Sequence, residues 1–371
     1  MLRLFIVLLL IGADLPAEAG SHTALNSQRP TPDAQRPNQA VWELEVGNWE
    51  STIISQPVQA EGSGRSTPLV HTYSIVARDP ATGDMGVAVQ SHWFSVGSVV
   101  TWAEAEVGAV ATQSFVDPGY GMRGLDLMRR GVSAPEALDQ LVKADQQRDG
   151  RQVAMIDAQG RVSAYTGKSA IAAAGHRVGR EYSVQANLMA NDKVWPAMAA
   201  AYESTRGDLA DRLLAALDAA EAAGGDIRGR QSAALLVVKA KSTGRPWAGA
   251  DRVFDVRVDD HPQPLAELRR LVRLQRAYNH ANRGDELMTE KKIEAALVEY
   301  KAASVLAPEV LELPFWHAVT LASIGRESDA LPIFKQVFSK EPIWADLLPR
   351  LPAAGLFPND QMLIGRILKL R

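Results

Sequence analysis

The order of elements along this 371-residue chain predicts an α+β protein with a smaller all-α tail. Three observations predict it. Short β-prone runs come in pairs joined by turn chemistry, as hairpins do. Helical stretches come in blocks of two between those pairs. Beyond about Arg270 the strand signal stops and a helical repeat of about 34 residues begins. Helices in blocks between antiparallel hairpins make layered α+β architecture, whereas a doubly wound parallel sheet alternates strand and helix.

The first residues read as a targeting segment. Met1-Leu2-Arg3 is a short basic start, Leu4 to Ile11 is unbroken apolar sequence, and Ala17-Glu18-Ala19 is a small-x-small cleavage site before Gly20. This three-part pattern predicts a signal peptide over 1–19. Its apolar run is shorter than the roughly 20 residues that span a bilayer. The expected product is a secreted or periplasmic protein with no stable membrane span after cleavage. Residues 20–69 are rich in Ser, Pro, Gln, Asn and Gly, bury too little apolar surface to fold alone, and read as a disordered leader and linker. Val41 to Ile54 is less polar than the rest.

Order is expected from about Val70. Tyr73 to Ala77 and Met85 to Val89 flank Asp79-Pro80-Ala81-Thr82-Gly83 as a hairpin, and Ser95 to Trp102 with Val107 to Phe115 form a second strand pair. Helices follow over about 122–130 and from Ser133, whose partner Glu136 completes a capping box, to about Ala144. Gln152 to Ile156 and Val162 to Thr166 make a further hairpin. Helices over about 194–203 and 208–223 precede strands at Ala233 to Val238 and Val253 to Val258. The main domain therefore spans 70–270 and the helical module 271–371. In that module Ala296, Leu297, Tyr300 and Pro308 recur as Ala330, Leu331, Phe334 and Pro342, the tetratricopeptide period. A small residue lets two helices approach, the aromatic fills the groove between them, and the Pro closes the unit. Two such units are expected to pack on the main domain, on a protein partner or on a second copy.

Composition excludes several chemistries. With 40 Lys and Arg against 43 Asp and Glu the net charge is −3, and no basic run offers a face for nucleic acid. Cysteine is absent, so disulfides, thiolate metal sites and cysteine nucleophiles are ruled out. The histidines are scattered without the spacing of a metal site, and no cofactor is expected. Gly119-Tyr120-Gly121-Met122-Arg123-Gly124 spells the dinucleotide fingerprint, but Val116-Asp117-Pro118 separates it from the preceding strand and the upstream elements are hairpins. The glycines are better read as serving a tight turn and close packing. No G-x-S-x-G elbow is present.

Three runs carry more information together than any one residue does. His71-Thr72-Tyr73-Ser74-Ile75-Val76-Ala77-Arg78-Asp79, Gly86-Val87-Ala88-Val89-Gln90-Ser91 and Gly108-Ala109-Val110-Ala111-Thr112-Gln113 resemble, in this order, the family catalogued as domain of unknown function 1028. The resemblance continues through Gly175-His176-Arg177, Gln185-Ala186-Asn187-Leu188, Gln231 to Val238 and Val256 to Pro262, so that it covers roughly residues 72–270.

That family looks like the N-terminal-nucleophile (Ntn) hydrolases, and the resemblance implies a four-layer αββα sandwich. It further implies that Thr72, at the start of its strand, attacks an amide carbonyl. A Thr hydroxyl is a poor nucleophile without a base. A free α-amine on the same residue, with a pKa near 8, is roughly one-tenth neutral at pH 7 and can be that base. It exists only once His71-Thr72 has been cut. Ser91, with Gln90, falls at the end of the second strand close to the Thr72 amine. Gln113 and Ser114 fall before a turn, where a backbone N–H could serve an oxyanion. Asn187 and Ser232 are further polar candidates at strand positions. No Lys lies near Trp102 to Glu104 to support proteasome-type chemistry. The expected function is an exported amide-bond hydrolase acting on a small or peptidic amide. The alternative is a non-catalytic binding or assembly protein that holds a partner through its helical tail.

Overall fold

The computed structural model describes residues 69–245 and 249–371. The expected signal peptide and all of the leader but Leu69 lie outside the described residues. Two antiparallel sheets stack face to face. The first contains β1 (Leu69–Val70), β4 (Thr101–Glu104), β5 (Gly108–Phe115), β6 (Arg151–Asp157) and β7 (Val162–Thr166). It runs in the order β1-β5-β6-β7, with β4 beside β1 on the same flank of β5. The second contains β2 (Thr72–Arg78), β3 (Met85–Ser91), β8 (Gly175–Gly179), β9 (Tyr182–Ala186), β10 (Ser232–Val238) and β11 (Arg252–Val258), in the order β11-β10-β3-β2-β9-β8.

Alternation along each strand assigns its two faces. Val76, Val87, Val89 and Leu236 from the second sheet meet Ala109, Ala111, Ala154 and Ile156 from the first in a core between the sheets. The opposite face of the second sheet presents Tyr73, Ile75, Val184 and Leu235 to α4 (Val194–Ser204) and α5 (Leu209–Ala222). The opposite face of the first presents Val110, Val153 and Met155 to α2 (Gly119–Arg129) and α3 (Ala134–Ala144). Strands buried on both faces need near-continuous apolar sequence, which Ser232–Val238 and Met85–Ser91 largely supply.

Local chemistry sets the ends of these elements. The β2–β3 turn is held by the Asp79 carboxylate, which accepts from the Ala81 N–H at 2.8 Å, and by Gly83 at φ +80°. Ser133 and Glu136 form the expected reciprocal capping box of α3. Two boundaries depart from expectation. Ser95 to Trp102 is not one strand: residues 97–100 make a helical turn, α1 (Gly97–Val100), before β4 begins. The helix expected to start at Met122 already includes the glycine motif, because α2 begins at Gly119. There Gly121 lets the helix lie on Trp102, where a Cβ would fall 2.2 Å from the ring, and Gly124 likewise accommodates Met155.

The C-terminal region is helical. Helix α6 (Pro264–Thr289) passes through residue 270 without a break. Leu265, Leu268 and Val272 pack in the core of the second sheet, whereas Ala277 and Ala281 pack with Ala303 and Leu313. Then follow α7 (Ile293–Leu306), α8 (Glu312–Ser323), α9 (Glu327–Lys340), α10 (Ile343–Leu347) and α11 (Gln361–Leu368). Ala296 and Tyr300 of α7 and Ala330 and Phe334 of α9 occupy equivalent places in their helices, and all four are buried.

Candidate functional site

Strand β1 belongs to one sheet and β2 to the other. Leu69 and Val70 pair with Phe115 and Ser114 of β5, and one residue later Thr72 pairs with Ser91 of β3. The peptide bond between His71 and Thr72 therefore lies where the chain crosses from sheet to sheet. Both residues are buried, His71 being 2% exposed.

The His71 carbonyl oxygen accepts two hydrogen bonds of 2.6 Å, one from Ser91 Oγ and one from Arg228 Nη2. The guanidinium is aimed by Asp226, whose carboxylate takes Arg228 Nε at 3.0 Å and Nη2 at 2.7 Å. Asp226 in turn accepts from the His92 N–H at 3.2 Å. A fork-to-fork pair of this kind fixes orientation as well as charge. Beside the doubly held carbonyl, Thr72 Oγ1 is buried and has no hydrogen-bond partner.

The His71 ring is held on its other side. Its Nδ1 is 2.7 Å from Asn187 Oδ1, and its ring stands edge-on to Phe115 with centroids 5.9 Å apart. Burial lowers the imidazole pKa below its ordinary value, against the hydrogen bond that the ring donates to Asn187, which raises it, and the positive charge of Arg228 lowers it further. The ring is thus neutral at pH 7. Asn187 Nδ2 donates to Gln152 Oε1 and to the Thr72 carbonyl, so its oxygen is the acceptor facing His71. His71 Nδ1 consequently carries the proton, and Nε2 presents a lone pair that finds no partner. Phe115 is itself anchored through its carbonyl by buried Arg151, which pairs with Asp145.

Beneath Thr72 lies a neutral amide network. Gln113 Nε2 donates to Gln152 Oε1 at 2.7 Å and to the Thr72 carbonyl at 3.2 Å, while its oxygen accepts from Ser74 Oγ at 2.6 Å. Gln185 donates to Ser74 Oγ, and Gln152 Nε2 reaches the Ala186 carbonyl at 2.9 Å. In the low dielectric between two sheets such a closed network is rigid, because any break strands a polar group. The residues that follow Gln113 and Asn187, Ser114 and Leu188, have φ of +71° and +58°. Positive φ is costly outside glycine and is held only where the surroundings over-determine it.

Ser91 thus holds the His71 carbonyl, while Gln113 and Asn187 hold the Thr72 carbonyl on the other side of Thr72. Ser114 lies beside them through its pairing with Val70, and its buried hydroxyl is unpartnered. Its neighbour Gln113 touches the Thr72 carbonyl through a side-chain amide. Gln90 and Ser232 do not join. Strand alternation turns the Gln90 side chain to the face opposite Ser91, and the Ser232 hydroxyl bonds the Trp93 carbonyl and the Val96 N–H. Arg228 and Asp226 escaped sequence reasoning: they sit in the turn before β10, and the only signal there was Asp226-Ile227-Arg228, a carboxylate two residues from a guanidinium. A cleft between α5 and α6 lined by Asp211, Asp218, Arg269 and Arg276 holds mutually paired charges and none of these groups. Among the described residues no cluster of three acidic or histidine side chains could hold a metal ion.

The described residues define a mixed α+β protein with antiparallel sheets and a helical C-terminal region, with a buried polar cluster at the start of β2. A model of the family of unknown function DUF1028 matches residues 72–268, more than half of the chain, and the chain belongs to that family. Among solved structures it is similar to protein SPO2555 from Silicibacter pomeroyi, a member of the same family, at 30% identity, 54% of this chain, 84% of that one and a TM-score of 0.49. No curated protein matches it.

Proposed function

We propose that this protein is an exported amide-bond hydrolase of the N-terminal-nucleophile type, with Thr72 as nucleophile, and that it matures by cutting its own His71–Thr72 bond. One observation carries the reading: the carbonyl preceding Thr72 accepts from both Ser91 Oγ and Arg228 Nη2, while the Thr72 hydroxyl beside it is committed to nothing. A structural turn does not need two donors on one carbonyl and an orphaned hydroxyl next to it. A carbonyl about to become an oxyanion does.

In the maturation step Thr72 Oγ adds to the His71 carbonyl carbon, and the negative oxygen develops between the Ser91 hydroxyl and the Arg228 guanidinium. The C–N bond breaks, the hydroxyl proton ends on the freed nitrogen, and His71 is left as an ester on Thr72 Oγ. Water hydrolyses the ester, returning the hydroxyl and leaving a His71 carboxylate. The new α-amine, with an ordinary pKa near 8, then serves as the base for the same attack on an external amide. Nucleophile, base and oxyanion donors come from the chain itself, and water is the co-reactant.

A second reading keeps the fold and drops the chemistry. It is favoured by the burial of Val70 and His71, which makes the two residues before Thr72 part of the packed core. Such a protein would bind a partner through its tail.

Intact-mass measurement and N-terminal sequencing of the purified exported chain separate the two. The hydrolase reading expects a mature N-terminus at Thr72, retained by Thr72→Ser and lost in Thr72→Ala. A wild-type chain that stays uncut on prolonged incubation overturns it.

A further inference from the structure

Resting on that reading, the segment Leu69-Val70-His71 occupies the acyl side of the site, and its contacts describe what the site accepts. We infer that the substrate is a peptidyl amide whose acyl half enters as an extended strand on the edge of β5. It would carry His at the acyl carbonyl and a Val-sized apolar residue before it.

Three features support this. The flank of β5 is covered by β4 only over 108–111, and at Ser114 and Phe115 it pairs instead with the two-residue β1. With the leader gone, that edge offers backbone N–H and C=O groups to another extended chain, the geometry of strand addition. Side-chain selection follows from what the leader fills. Val70 is fully buried among apolar residues between the sheets, so its departure opens a slot of matching size. His71 puts an N–H on Asn187 Oδ1 and its ring edge-on to Phe115. Asn187 Oδ1 has its own amide tied to Gln152 and Thr72, so it cannot turn to offer a donor instead. An acyl group without an N–H or O–H at that point leaves the oxygen unpaired.

The third feature is where polar groups go unsatisfied. Among the described residues, buried side-chain atoms without a partner occur on five residues, and His71, Thr72 and Ser114 are three of them. Cores built only for stability pair such groups. Their gathering around one strand end marks a place the chain is built to leave. Cleavage also changes the charge there: the His71 carbonyl becomes a carboxylate facing Arg228, so the severed leader is a product held by an ion pair as well as by strand pairing.

The test uses the full-length wild-type chain after maturation, with the leader fragment washed away. Hydrolysis is followed with the fluorogenic amides acetyl-Leu-Val-His, acetyl-Leu-Val-Ala, acetyl-Leu-Asp-His and a simple acetyl amide of the same fluorophore. The expected result is at least tenfold higher kcat/KM for Leu-Val-His than for each of the others, with competitive inhibition by the free acid acetyl-Leu-Val-His. Equal rates across the panel, or preference for the acetyl amide, would overturn the substrate assignment while leaving Thr72 as nucleophile. A chain that neither matures nor hydrolyses any of the four removes the hydrolase reading and this inference with it. In the uncut chain His71→Ala is expected to slow maturation at least tenfold, and circular dichroism of that variant distinguishes slow cutting from misfolding.

Discussion

Arg228 Nη2 lies 2.6 Å from the carbonyl oxygen of His71, across 157 residues of sequence, and Asp226 aims it there. The contact places a fixed positive charge at the one oxygen that would turn negative if the bond after it were attacked.

Replacing that charge is therefore expected to cost rate as well as the stability lost by leaving the buried Asp226 carboxylate without its guanidinium. Arg228→Met should slow His71–Thr72 cleavage by about 10²–10³, the usual loss of one oxyanion donor. Arg228→Lys should recover only part of it, because a single ammonium cannot span the Asp226 carboxylate and reach the carbonyl as the fork does. A time course of intact mass with each purified variant checks this; cleavage at the wild-type rate in Arg228→Met would remove the guanidinium from the mechanism.

Gln113→Leu should destabilise the fold by about 2–3 kcal/mol, since Ser74 Oγ and Gln152 Oε1 each lose a buried partner and both remain away from water. The readout is the urea midpoint. An unchanged midpoint would mean that the amide network is loosely held.

At Gly121 two effects oppose each other. Alanine improves helix propensity by about 1 kcal/mol. Its Cβ, however, would sit 2.2 Å from Trp102 Cγ, and overpacking of this kind costs about 1–3 kcal/mol. Packing is expected to prevail, with a lower melting temperature for Gly121→Ala. A gain in melting temperature would show that Trp102 is free to move aside.

In the tail, burial pushes the His317 pKa down to about 4, with Arg326 adding to the effect. The unfolded chain, with an ordinary His, binds more protons between pH 6.5 and 4, so this residue's contribution is complete above pH 6.5 and is lost as pH falls toward 4. Partial exposure of the ring limits the loss to about 1–2 kcal/mol. His317→Gln should flatten the fall of melting temperature between pH 7 and 4.5 relative to wild type. Parallel curves for the two proteins would contradict the assignment.

Much of the fold was legible because it is written in local patterns. The β-prone run Tyr73 to Ala77, the Asp79 to Gly83 turn and the Ser133–Glu136 cap each act within a few residues. The 34-residue spacing of Ala296 and Ala330 likewise reports helix packing directly. The segment from Ser95 to Trp102 misled because a β-branched apolar run satisfies a strand and a buried helical turn equally well, and only packing against β5 and β10 decides between them. Thr72, Ser91, Gln113 and Asn187 were nameable through family resemblance, for nothing about an isolated Thr or Asn distinguishes a reacting group from a satisfied one.

What the sequence by itself determined was the α+β class, most of its elements and the exclusion of thiol chemistry, all of which depend on composition and short-range periodicity. Only the tertiary structure decided that β1 and β2 belong to different sheets, that His71 is pinned between Asn187 and Phe115, and that Arg228 closes on its carbonyl. Those relationships join residues more than forty positions apart. Sheet stacking sets them, and sheet stacking leaves no periodic trace in the chain.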